Sequence, residues 1–114
     1  KRKDTNTGKK AFNHGVDIAG KKGSEVFAVA AGVVTEARKK SGYGYLVEIR
    51  HADGYITRYA HNSEIRVKTG DLVDKGQVIG LMGSSGRSTG PHVHFEIVRN
   101  GKSINPAKYL RRRG

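Results

Sequence analysis

Val47, Ile49 and His51 alternate with Glu48 and Arg50, the period-two pattern of a strand with one buried face. Short β-branched runs recur along the chain and predict strands over residues 25–30, 32–37, 45–50, 56–60, 77–82 and 92–99. Turns containing glycine separate them, among them Ala52-Asp53-Gly54 and Arg99-Asn100-Gly101. The 16 glycines against only 2 prolines suit many strands joined by tight turns. A helix is expected only near residues 106–110. The expected fold class is all-β, a mostly antiparallel sheet with at most a short C-terminal helix.

Length and composition narrow this picture. A chain of 114 residues makes one domain with a modest core. It has no cysteine, so disulfides and thiolate metal sites are excluded, which is compatible with an oxidising compartment without demanding one. No apolar run reaches the length of a membrane span, and no apolar segment follows Lys1-Arg2-Lys3-Asp4 as it would in a signal peptide. The expectation is a domain excised from a longer exported protein. Residues 1–11 read as a basic N-terminal extension, 12–110 as the domain, and 111–114 as a basic tail. The net charge of +12, from 22 Lys and Arg against 10 Asp and Glu, would draw such a domain to polyanions, including anionic polymers of a cell envelope. Nucleic acid is not an expected partner, since there is no helix-turn-helix, no zinc-finger spacing and no aromatic platform within a basic strand pair.

Candidate chemistry concentrates in Gly90-Pro91-His92-Val93-His94-Phe95-Glu96. Residues i and i+2 of a strand project from one face, so His92 and His94 lie side by side while Val93 and Phe95 point the other way. An H-x-H pair alone is a weak pattern, which two solvated side chains would also satisfy. Asp17 adds to it. Its flanking residues Val16 and Ile18 suggest a strand that buries them and turns the carboxylate to the opposite face, where it could meet His94 across a sheet. A histidine and aspartate set of three ligands with an open position suits a catalytic zinc. Among the other candidates, His51 falls on no motif and reads as structural or exposed. Tyr59 is two residues before His61 and is expected to share its face, most simply as packing. Residues 84–90 carry no apolar side chain and read as a loop at the sheet rim, where substrate walls form.

Taken in order, Gly15-Val16-Asp17-Ile18-Ala19, Arg58-Tyr59-Ala60-His61 and the block from Gly83 to Glu96 resemble the M23 family, the lysostaphin-type (LytM-like) zinc endopeptidases that cut the peptide part of bacterial cell wall. The resemblance runs from about Phe12 to Tyr109. It implies a duplicated-hybrid-motif sheet, zinc as cofactor, peptidoglycan peptide cross-links as substrate, and a periplasmic or extracellular place in the bacterial envelope. Segment 67–77 also resembles the turn and short strand of a biotinyl-lipoyl-like hammerhead, a motif common in β folds.

Carried over residue by residue, the resemblance makes Asp17 and His94 zinc ligands and His61 and His92 the catalytic histidines. His92 would act as general base on a water, and His61 would stabilise the oxyanion or orient the attacking oxygen. The chain departs from the pattern at one position. The family motif is H-x-x-x-D, and the residue four before Asp17 is Asn13. An amide carbonyl is a neutral, harder donor than imidazole, so weak or absent zinc occupancy is expected. His14 is out of register, although loop backbone ahead of a strand can re-aim a side chain. Three accounts of Asn13 follow: a substitution in an otherwise complete peptidase, a catalytically inactive relative that activates a peptidoglycan amidase, or an enzyme in which Asn13 or His14 ligates zinc. The first is preferred, because Asp17, His61, His92 and His94 are all retained. A basic anion-binding β module with no active site would leave the His92 and His94 pairing unexplained.

Overall fold

The computed structural model describes residues 15–83 and 90–106. Among these residues nine strands form one antiparallel sheet: β1 (Gly15–Ala19), β2 (Glu25–Phe27), β3 (Gly32–Lys40), β4 (Gly44–Arg50), β5 (Tyr55–Ile65), β6 (Leu72–Val73), β7 (Val78–Met82), β8 (His92–Arg99) and β9 (Lys102–Ile104). The main path runs β1-β8-β5-β4-β3-β6, with β9 continuing the β1 side of β8 and β7 bridging β2 to the far half of β5.

The all-β expectation holds. The strand over 92–99 has the bounds expected, and β3, β4 and β5 extend beyond the stretches their patterns marked, whereas β2 is shorter. Strand β9 was not anticipated. It is a short, half-exposed return made possible by Asn100 and Gly101, both at positive φ, the two-residue turn that matches strand twist. Of the expected helix, only Pro106 lies within the described residues.

Register sorts side chains into two faces. Val47 pairs with Tyr59, Tyr59 with Phe95 and Phe95 with Val16, and this apolar row faces the core. Tyr59 and Phe95 meet with ring centroids 5.4 Å apart. One residue along, Glu48 pairs with Arg58, Arg58 with Glu96 and Glu96 with Gly15, so a polar row crosses the same strands on the opposite face.

Register shifts at several points in the sheet, and one of these shifts lies at the site. Val47 opposes Tyr59 but Tyr45 opposes Asn62, so β5 holds one more residue than β4 over this stretch. The extra residue produces a β-bulge around Ala60 and His61, with His61 at φ 67. The sequence suggestion that Tyr59 shares a face with His61 is therefore corrected. Tyr59 is buried in the core, its packing role as expected, while the bulge turns His61 to the other side. Two contacts hold the irregular backbone. The His61 N–H donates to the Tyr43 carbonyl at 2.8 Å, and buried Asn62 donates its amide to the carbonyls of Tyr45 (3.0 Å) and Tyr59 (2.9 Å). His51 is structural: its ring nitrogens bond the Ala31 carbonyl and the Thr57 hydroxyl, each at 2.7 Å.

Asn62→Ala removes both side-chain donors from the bulge. It is expected to destabilise the fold by about 1–3 kcal/mol and to shift the His61 ring resonances, whereas Ser63→Ala, at an exposed neighbour, should stay within about 0.5 kcal/mol. Denaturant unfolding and histidine NMR spectra check this, and equal behaviour of the two variants would remove Asn62 as the staple.

Candidate metal centre and histidine cluster

Strand β8 carries the centre of the site because its even positions face the polar side. His94 stands directly opposite Asp17 on β1, and its Nδ1–H donates to Asp17 Oδ1 at 2.8 Å. Its Nε2–H donates to Glu96 Oε2 at 3.0 Å. The imidazole thus lies between two carboxylates of different character: Asp17 is 63% exposed and Glu96 is 14% exposed. The ring needs open space beneath it, which Gly15 leaves. A Cβ on Gly15 would come within 2.7 Å of His94 Cε1, His94 Nε2 and the Phe95 carbonyl. On the other flank His94 opposes Ala60, another small residue.

His92 is buried and its Nδ1–H donates to the Gly90 carbonyl at 2.9 Å. That bond assigns the proton to Nδ1 and leaves Nε2 with a lone pair. The His61 ring comes from β5 to face both, with centroids 5.4 Å from His92 and 6.3 Å from His94. Asp17, His61, His92 and His94 therefore converge on one side of the sheet from three strands. Asn13, His14 and most of the 84–90 loop lie outside the described residues.

The sequence places Arg58 and Glu96 within motifs and Glu48 at a polar position of an alternating strand, without a role for any of them. The structure joins them in a row. Arg58 donates through Nη1 to Glu96 Oε1 (3.2 Å) and through Nε to Glu48 Oε2 (2.7 Å), and the Thr35 hydroxyl donates to Glu48 Oε1 (2.8 Å). The available signal was Glu96 at two residues past His94, on the same face. Recognition of Arg58 as its partner requires the β5–β8 register.

The charges follow from these contacts. The Glu96 carboxylate, and to a smaller degree Asp17, holds the His94 pKa above its ordinary value against the opposing effect of burial. His94, with help from Arg58, holds Glu96 below its ordinary carboxylate value, again against burial. Burial beside Glu96 pushes the Tyr43 phenol up, so it stays protonated. In its protonated form His94 can donate to each carboxylate.

Among the described residues no three His, Cys, Asp or Glu side chains form a complete metal cage. The donors present fit part of one. Asp17 Oδ1 and His94 Nδ1 are 2.8 Å apart, and ligand atoms on a tetrahedral zinc with bonds of about 2.0–2.1 Å stand roughly 3.4 Å apart. Loss of the shared proton and a small opening would suit the pair to a divalent cation.

The sequence model of peptidase family M23 matches residues 11–106. The chain belongs to peptidase family M23. It is 50% identical over 92 residues to the DD-carboxypeptidase/endopeptidase Mpg of Neisseria meningitidis, a match that covers 81% of this chain and 21% of that protein. It is 46% identical over 102 residues to the murein hydrolase activator NlpD of Escherichia coli, covering 89% of this chain and 27% of that protein. A zinc-containing peptidase from Vibrio cholerae shares the fold with a TM-score of 0.76 and 40% identity, over 82% of this chain and 29% of that one. The chain thus spans about a quarter of the length of these curated relatives, 21% to 27%. One M23 relative is named for peptidase activity and the other for activation of a hydrolase.

The His94 and Glu96 shifts make stability depend on pH with opposite signs. His94 binds its proton more tightly in the folded chain, so its contribution is full below its ordinary 6.5 and fades as pH rises through the raised folded value. Glu96 contributes fully above its ordinary 4.5 and loses its contribution as pH falls through the lowered folded value. In metal-free protein the pair contributes most between about pH 4.5 and 6.5. Denaturant midpoints of the parent and Glu96→Gln across pH should differ most in that window and draw closer, without meeting, in alkaline buffer, where the Glu96–Arg58 pair remains. A gap independent of pH would exclude a charged His94–Glu96 pair.

Proposed function

We propose that this domain hydrolyses peptide bonds in the cross-links of bacterial peptidoglycan as a zinc metalloendopeptidase, with zinc binding weakened by Asn13. The observation that carries the reading is the convergence of Asp17, His61, His92 and His94 on one face of the sheet, two as a donor pair and two as flanking imidazoles. Asp17 Oδ1 and His94 Nδ1 are the atoms that would hold the metal, with position 13 as the third ligand position. The chemistry that bound zinc supplies there is Lewis acidity toward the scissile carbonyl and a more acidic water.

The chain's own residues supply the rest. His92, its Nδ1–H tied to the Gly90 carbonyl, presents Nε2 as the acceptor for the proton of the attacking water. The backbone bond also fixes its ring, so the base is oriented before substrate arrives. His61, held by the bulge beside His92, stabilises the oxyanion or orients the attacking oxygen. Substrate would approach from the polar face, since the other face is the core. A place in the periplasm or outside the cell agrees with such a substrate, and the net charge of +12 suits attraction to anionic envelope polymers.

A second reading has its own support. Asn13 stands at a ligand position, and the relative NlpD is named as an activator of murein hydrolases. On that reading the domain binds and stimulates a peptidoglycan amidase, and the histidine cluster moves no proton.

Metal content and wall hydrolysis separate the two. Asn13→His should raise zinc affinity by one or more tenfold steps, each worth about 1.4 kcal/mol, and the zinc-loaded variant should release new amino termini from cell wall. Addition of His92→Ala to it should lower the rate roughly 10²-fold or more by removal of the general base. If Asn13→His protein with zinc releases no amino termini from walls of any cross-link type, the peptidase reading fails. Stimulation of an amidase that survives His92→Ala would then support the activator.

A further inference from the structure

Glu96 takes no part in the proposed chemistry, yet it is the acid most firmly tied to the site. We propose that Glu96 is a positioning residue: it fixes the His94 proton on Nε2 and so keeps the Nδ1 lone pair aimed beside Asp17, where a divalent cation binds. Arg58, braced by Glu48, holds Glu96 in place. The inference rests on the reading of Asp17 and His94 as metal donors.

The geometry of the row supports this assignment. The two oxygens of Glu96 have different partners, Oε2 taking the His94 Nε2–H and Oε1 taking Arg58 Nη1. The carboxylate cannot swing to follow another partner without release of Arg58, whose Nε is engaged by Glu48 at 2.7 Å. Glu48 in turn accepts from the Thr35 hydroxyl. Four strands in their order across the sheet, β3, β4, β5 and β8, thus contribute one residue each to an anchored carboxylate.

The two carboxylates beside His94 compete for one proton when the imidazole is neutral. A hydrogen bond to an ion is stronger where water is excluded. Glu96, 14% exposed, therefore outcompetes Asp17, 63% exposed. The result is a neutral ring with Nε2–H toward the interior and a free Nδ1 toward the open side. A histidine ligand whose second nitrogen donates to a carboxylate is both oriented and made a better donor.

Glu96 could instead serve only as the counter-ion of Arg58, and the test must tell these roles apart. Glutamine can accept the Nε2–H but cannot neutralise Arg58, whereas alanine does neither. The experiment uses the full chain and its Asn13→His form, with zinc affinity read by chelator competition and the His94 ring tautomer by ¹⁵N NMR of metal-free protein in alkaline buffer. Glu96→Ala is expected to weaken zinc binding about 10- to 100-fold and to mix the tautomers, and Glu96→Gln to recover most of the affinity and keep the Nε2–H form despite lower stability. An Nδ1–H tautomer in the parent overturns the proposal, and this measurement needs neither a variant nor a metal, so it stands even if Glu96→Ala does not fold. Unchanged zinc affinity in Glu96→Ala also overturns it while the metal reading survives. Failure of Asn13→His protein to bind zinc in an Asp17-dependent way overturns the metal reading itself, and the tautomer still decides whether Glu96 positions the ring.

Discussion

One imidazole held between two carboxylates organises the polar face of this sheet. Placement of Glu96 in a mostly buried position costs several kcal/mol of lost hydration unless it is paired and hydrogen-bonded. His94 and Arg58 together meet that demand, and Arg58 in turn requires Glu48. The need is passed from strand to strand until it reaches the Thr35 hydroxyl on β3. Arrangement of the site is for this reason a property of the whole sheet. A change at β3 or β4 that leaves every histidine intact can still alter the ring at β8.

A second constraint is the count of residues on β5. If β5 paired regularly with β4, His61 would face the core beside Tyr59, and burial of another imidazole there would require partners that an apolar row does not offer. The extra residue resolves the conflict by local use of the left-handed region, which costs a non-glycine residue about 1–3 kcal/mol. Asn62 and the Tyr43 carbonyl offset part of this by satisfying backbone groups that the irregular pairing leaves over. The bulge bears directly on the proposed function, because His61 stands beside His92 and His94 only with it.

The sequence made the fold class legible through period-two patterns, and it made the last long strand legible because polar and apolar residues alternate from His92 to Ile97. The opposition of Asp17 and His94 was also readable, since Asp17 must take the face opposite Val16 and Ile18, although only Val16 packs on the core and Ile18 stays 39% exposed. The rest depended on register. Nothing local distinguishes Arg58 as the partner of Glu96 from any other surface arginine, and nothing in Tyr59-Ala60-His61 announces that parity breaks between them. Such facts belong to pairs of strands and become visible only when residues on both are counted together. Gly15 is an intermediate case: its small size was visible, but the ring that requires it is contributed by a strand 79 positions later in the chain, from Gly15 to His94.

Asp17 sits on β1, and among the described residues β1 pairs with β8 alone, at the end of the sheet. Its outer residues are exposed, and the only apolar side chain it packs on the core cluster is Val16. Edge strands with so few buried contacts open far more often than the strands behind them. One half of the donor pair therefore resides on an element that can detach while β3, β4, β5 and β8 remain folded. Residence of a cation at this site would be governed by the lifetime of a single five-residue pairing, and anything that lies along the edge of β1 away from β8 would lengthen that lifetime without touching a histidine.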